Sequence, residues 1–290
     1  MAAASDLAAA VIASGSAQPP GFVDIRWRGR PVRIEHQWLG EPASPRPLIV
    51  FLHEGLGSVA MWRDFPQRLC TAAGCRGLVY SRPGYGRSSP RSADDAWGTD
   101  FLHRQAQEVL PALLTALGVD AARDKPWLFG HSDGGTIALL YAAHSPDQLA
   151  GAVLLAPHIR VEAVAISSIQ QARKAYRGGD LRAKLARHHD DPDSAFWGWN
   201  NIWLHPDFRA WSIEAELASI SCPLLAIQGT DDEYGTLDQI EGIARRVPGT
   251  ELRAFAACGH SPHRDQADAV ISATAAFMQT KLSPQTGDSP

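Results

Sequence analysis

The stretch Trp127-Leu128-Phe129-Gly130-His131-Ser132-Asp133-Gly134-Gly135 runs from three apolar residues into a Gly-x-Ser-x-Gly turn, and Thr136 to Ala143 follow with a helix-forming pattern. Strand, then this turn, then helix is the context that lifts the motif above chance occurrence. The chain must reverse within a few residues, leaving the serine in a strained backbone conformation. Side chains two positions away on either side would collide there, so Gly130 and Gly134 relieve the crowding. Ser132 would then stand exposed at the top of a sheet, before the amino end of a helix that favours developing negative charge. The plain alternative is a glycine-rich strand-to-helix turn that carries no chemistry.

The flanking sequence supplies the sheet. Phe22 to Arg28 and Val32 to Trp38 alternate in polarity around Arg28-Gly29-Arg30-Pro31, which predicts an antiparallel hairpin at one edge. Leu48 to Leu52 is an unbroken apolar run, the pattern of a strand covered on both faces. Similar runs are expected at Gly77 to Tyr80, Ala152 to Leu155, Leu224 to Ile227 and Leu252 to Phe255, with helices over Phe101 to Leu117, Thr236 to Val247 and Asp265 to Leu282. Strands alternating with helices predict an α/β fold, a mostly parallel, doubly wound sheet of about eight strands.

One segment breaks the alternation. Residues 158–219 hold no buried strand pattern, are polar and helix-prone over Gln170 to His189, and then become aromatic through Phe196, Trp197, Trp199, Trp203, Phe208 and Trp211. An insertion of roughly 60 residues is too long for an ordinary connection. It is expected to be a helical lid over the carboxyl ends of the strands, where open α/β sheets place their sites. The core is then 21–157 with 220–282, between a frayed or disordered lead-in at 1–20 and a disordered tail at 283–290.

Composition narrows the class. The net charge of -4 on 290 residues, without a long basic block, argues against nucleic acid or an anionic membrane as partner. No segment offers the roughly 18 apolar residues of a membrane span. The lead-in lacks the basic start and long apolar run of a secretory signal. The four cysteines form neither a CxxC pair nor a dense disulfide pattern, which fits reduced thiols in a cytoplasmic protein. His188-His189-Asp190-Asp191 reads as a solvated surface, because adjacent residues on one helical turn point apart; no metal or cofactor is expected. The oligomeric state, a homodimer included, is left open.

A serine hydroxyl is a poor nucleophile at neutral pH and needs a base, itself oriented by a carboxylate. Of the 11 histidines, His260 follows the last expected strand by a short loop and so falls at the same sheet edge as Ser132. Among Asp231, Asp232 and Glu233, which follow the strand at Leu224 to Ile227, Asp232 is the expected acid and Asp231 a loop brace. Acyl transfer also needs two N–H donors for the oxygen that becomes negative. Asp133, after the nucleophile, and Gly55, after the strand at Leu48 to Leu52, are the candidates.

His53-Glu54-Gly55, Arg82-Pro83-Gly84-Tyr85-Gly86-Arg87-Ser88, the Ser132 stretch, Gly229-Thr230-Asp231-Asp232 and Gly259-His260 together resemble the α/β-hydrolase superfamily from Phe22 to Leu282. The closest likeness is to its lidded carboxylesterase, enol-lactonase and meta-cleavage hydrolase branches. That resemblance implies a Ser132–His260–Asp232 triad with Gly55 and Asp133 as oxyanion donors. It implies a small-molecule, ester-like substrate, with carbon–carbon bond hydrolysis, lactonase and thioesterase action as alternatives, and a ligand receptor on the same fold as the non-enzyme alternative. Glu54 departs from the glycine common at its position. It is expected to pair with Arg82 behind the loop, and with His158, Trp197 and Trp203 it is a candidate for substrate contact. The aromatic cluster suggests a small or medium apolar or aromatic group, or simply lid-to-core packing.

Overall fold

The computed structural model describes residues 17–92 and 95–282. The tail at 283–290, and the lead-in up to residue 16, lie outside the described residues. Eight strands form one sheet in the order β1-β2-β4-β3-β5-β6-β7-β8. They are β1 (Gly21–Trp27), β2 (Arg30–Leu39), β3 (Leu48–Leu52), β4 (Arg76–Tyr80), β5 (Trp127–His131), β6 (Gly151–Leu155), β7 (Leu224–Gly229) and β8 (Glu251–Phe255). The hairpin β1–β2 and the β2–β4 pair are antiparallel, and the remaining pairs are parallel.

Successive residues of a strand face opposite sides of the sheet. Leu48, Val50 and Leu52 therefore join one apolar cluster with Leu78 and Leu128, while Ile49 and Phe51 join the other with Val79 and Phe129. Burial on both faces is why these strands read as continuous apolar runs. β8 differs from its expected buried run. It is the sheet edge beside β7, and Arg253 and Ala254 are exposed. A charged residue on an edge strand discourages pairing with another chain.

The helices are α1 (Phe65–Ala73), α2 (Phe101–Arg104), α3 (Leu110–Ala116), α4 (Ala121–Asp124), α5 (Asp133–His144), α6 (Ala163–Gly178), α7 (Leu181–Leu185), α8 (Pro192–Trp203), α9 (Asp238–Arg246), α10 (Pro262–Asp265) and α11 (Ala267–Leu282). The single helix expected from Phe101 to Leu117 is interrupted by a π-helical stretch at Gln105–Val109. Pro111, which follows, has no N–H to give to an i−4 carbonyl. Helices α6, α7 and α8 and two 3-10 turns fill the chain between β6 and β7. Among the described residues no helix is long and apolar enough to cross a membrane.

Candidate active site

β5 ends at His131, and α5 begins two residues later. Ser132 between them has φ 53° and ψ -119°, a conformation L-residues rarely adopt. A Cβ on Gly130 would collide with the Gly134 carbonyl, and one on Gly134 with the carbonyl of Leu52. The two glycines are therefore the condition for the turn. Strain held in this way is characteristic of functional positions.

The loops after β7 and β8 bring the partners of Ser132. His260 Nε2 lies 2.9 Å from Ser132 Oγ, and His260 Nδ1 lies 2.8 Å from Asp232 Oδ1. With Nδ1–H donating to the carboxylate, Nε2 is left to accept from the serine hydroxyl. Asp232 also accepts from the N–H groups of Tyr234 and Gly235 and from Gln228 Nε2. Burial works against its charge, but the hydrogen bond and charge of His260 and the Tyr234 N–H outweigh it. The carboxyl therefore sits below the usual carboxylate pKa. Glu233 accepts from the His260 N–H at 3.1 Å and braces the same loop, while the Asp231 N–H donates to the Cys258 carbonyl.

Gly55 ends up beside the segment between β6 and β7. A Cβ there would overlap Nε1 and Cδ1 of the Trp199 indole, which is 6% exposed. Asp133 opens α5, and its buried carboxylate accepts from Trp203 Nε1 at 3.2 Å and lies 3.4 Å from Arg82 Nη2. Burial raises the pKa of this carboxyl, against the pull of Arg82 and the Trp203 N–H.

The expected Glu54–Arg82 ion pair is not formed. The Glu54 carboxylate instead accepts from Arg264 Nη2 at 3.1 Å and lies 3.5 Å from His131 Nδ1. Burial opposes its charge, but His131 and then Arg264 hold it well below the ordinary carboxylate pKa. His131 in turn donates from Nε2 to the His260 carbonyl at 2.7 Å. Glu54 is thus committed to bracing the His260 loop.

His158 is buried with its ring centroid 5.7 Å from that of His260 and 5.1 Å from that of Trp203. Burial, reinforced by His260, pushes its pKa down to about 3, so it is neutral at physiological pH. Trp197 is not brought to the site. It packs on Tyr176 and Phe196, with Arg177 over its ring. The residue that does reach the site is Trp199, four before Trp203 and hence on the same helix face, a spacing visible in the sequence. Tyr234, whose ring lies 4.7 Å from that of His260, is a second site neighbour that sequence reasoning missed.

His189 also corrects an expectation. It is buried, accepts from the Gly86 N–H and donates to the Leu56 carbonyl, tying the chain before α8 to the loops after β3 and β4. Ser194 adds a tie to Gly84. Ser132 itself is only 7% exposed. A surface cleft of about 400 Å³, lined in part by Trp27, Arg91 and Trp97, contains none of Ser132, Asp232 and His260.

The tight approach at Gly55 has a measurable consequence. Gly55→Ala is expected to cost about 1–3 kcal/mol by overpacking, read as a lower urea midpoint. The cost should shrink in a Trp199→Ala background, because neighbouring sites couple. An equal cost in both backgrounds would show that the indole is not what limits this position.

A family model described as an alpha/beta hydrolase family matches residues 49–273. A 2-hydroxy-6-oxo-6-phenylhexa-2,4-dienoate hydrolase of Comamonas testosteroni is 22% identical over 247 residues, spanning 76% of this chain and 83% of the relative. Among solved structures, an enol-lactonase from Burkholderia xenovorans LB400 superposes with a TM-score of 0.68 at 20% identity, covering 90% of this chain and 100% of that one. A thermophilic esterase from Thermogutta terrifontis gives 0.69 at 17% identity, with 92% and 100% covered.

Proposed function

The chain belongs to the alpha/beta hydrolase family, and from that premise we propose that it is a serine hydrolase cleaving a small or medium, apolar or aromatic carboxylic ester. The observation that carries this reading is the continuous hydrogen-bonded line from Ser132 Oγ through His260 to Asp232.

In the proposed reaction Ser132 Oγ attacks the ester carbonyl as its proton passes to His260 Nε2. The carbonyl oxygen becomes negative and is held by the N–H groups of Gly55 and Asp133, at the positive end of α5. His260 gives its proton to the leaving alcohol, and the acyl group remains on Ser132. Water, deprotonated by His260, then releases the acid. Asp232 fixes the His260 tautomer and stabilises its charged form. Helices α6 to α8 act as a lid, and Trp199, His158 and Tyr234 give the substrate space an aromatic lining with few charges. Cys70, Cys75, Cys222 and Cys258 are free and buried, which supports a reducing, cytoplasmic setting.

A second reading, carbon–carbon bond hydrolysis of a dienoate, is favoured by the activity named for the Comamonas relative. The two separate in a substrate panel. Purified protein is expected to turn over p-nitrophenyl acetate and butyrate many times per molecule, and much faster than ring-cleavage dienoates. A fluorophosphonate should add one group, mapped to Ser132. Label at another residue, or a single slow turnover with product retained, would overturn the esterase reading.

A further inference from the structure

The carbonyl oxygen of Glu54 and the N–H of Gly55 belong to one planar peptide group and point in opposite directions. That oxygen accepts from His53 Nδ1 at 2.7 Å, Arg82 Nη2 at 2.8 Å and the Gly57 N–H at 3.1 Å. The His53 tautomer follows from its other nitrogen: Nε2 accepts from the Arg82 backbone N–H at 2.9 Å, so Nδ1 carries the proton. The same Arg82 Nη2 lies 3.4 Å from the carboxylate of Asp133, whose backbone N–H is the other donor assigned to the substrate oxygen. The Arg82 side chain is 0% exposed and packs over the Tyr85 ring, 4.6 Å from its centroid. A charge buried this deeply is weak evidence for stability, because desolvation offsets much of the attraction.

We propose that Arg82 is a positioning residue of the oxyanion hole. One guanidinium braces both backbone donors, and with His53 it polarises the Glu54–Gly55 peptide so that its N–H binds a negative oxygen more strongly. Chains of hydrogen bonds in a low-dielectric interior strengthen one another in this way. Both contacts come from Nη2, whose two N–H groups have fixed directions in the planar guanidinium, whereas an ammonium is a flexible point charge. This inference rests on the reading of Ser132 as nucleophile.

The test uses Arg82→Lys and the double variant Arg82→Met/Asp133→Asn. The double variant removes both charges together, so that no buried charge is left unpaired if Arg82→Lys fails to fold. The probe is an aryl trifluoromethyl ketone. Ser132 Oγ adds to its carbonyl carbon, the serine proton passes to His260, and the oxyanion persists because no leaving group departs. Folding is checked by thermal melting. Both variants are expected to lose about 10–100-fold in kcat on p-nitrophenyl butyrate, with KM within about threefold. Ketone affinity should weaken in parallel with kcat, a link that a purely structural role would not produce. A folded variant with unchanged kcat and ketone affinity, or with raised KM alone, would overturn the proposal. Wild-type protein that neither turns over esters nor binds the ketone would instead sink the reading of Ser132.

Discussion

Ser132→Ala is expected to lower kcat on p-nitrophenyl butyrate by about 10⁶-fold, with little change in KM. Removing the hydroxyl removes the atom that forms the acyl-enzyme, and His260 alone cannot replace it. The backbone donors remain, so about 10³–10⁴-fold acceleration over water should survive. The substitution is small at a strained, nearly buried position, so the fold should persist, as the melting temperature would show. Labelling by fluorophosphonate should vanish together with turnover. A variant that keeps turnover within tenfold of wild type would rule out Ser132 as nucleophile.

Asp232→Asn should cost about 10⁴-fold in kcat. Oδ1 accepts from His260, Tyr234 and Gly235, while Oδ2 accepts from Gln228 Nε2. An asparagine supplies one oxygen and one NH₂ in place of these two acceptors. If the oxygen stays with the backbone donors, the NH₂ faces the Gln228 NH₂ and the loop shifts. If it turns the other way, its N–H meets His260 Nδ1 and drives the proton to Nε2, the wrong tautomer for a base. The control is Asp231→Asn. Asp231 is exposed and is expected to change kcat by less than about twofold. Equal losses in the two variants would mean that the acid had been misassigned between neighbours.

The convergence of Ser132, His260 and Asp232 was more legible in the sequence than the surroundings of these residues. Ser132 and Asp232 follow the buried runs of β5 and β7 within three residues, and His260 lies five residues past the end of β8. Partner choice among charges was not legible. Glu54 and Arg82 look complementary on paper, yet Arg82 turns to a carbonyl and to Asp133, while Glu54 finds Arg264 210 positions away. Nothing local in the sequence encodes that choice; it depends on which loops the sheet order sets side by side. Trp197 falls away from the site for a different reason. Trp197 and Trp203 lie six apart and point to different helix sides, whereas Trp199 and Trp203 obey the four-residue spacing. His188-His189-Asp190-Asp191 reads as a solvated surface because adjacent residues on one helical turn point apart, yet contact with Gly86 and Leu56 buries His189.

The edge position of β8 carries a consequence for chain synthesis. Its one neighbour is β7, and the loop that follows it supplies His260, 128 residues after Ser132. At about 5–20 residues per second, the ribosome makes the serine on the order of ten seconds before the base. During that interval the chain holds the Ser132 turn with an ordinary alcohol in it. In the proposed mechanism, arrival of the last strand switches the alcohol on, so a nascent chain would gain esterase activity only once almost all of its sheet is in place.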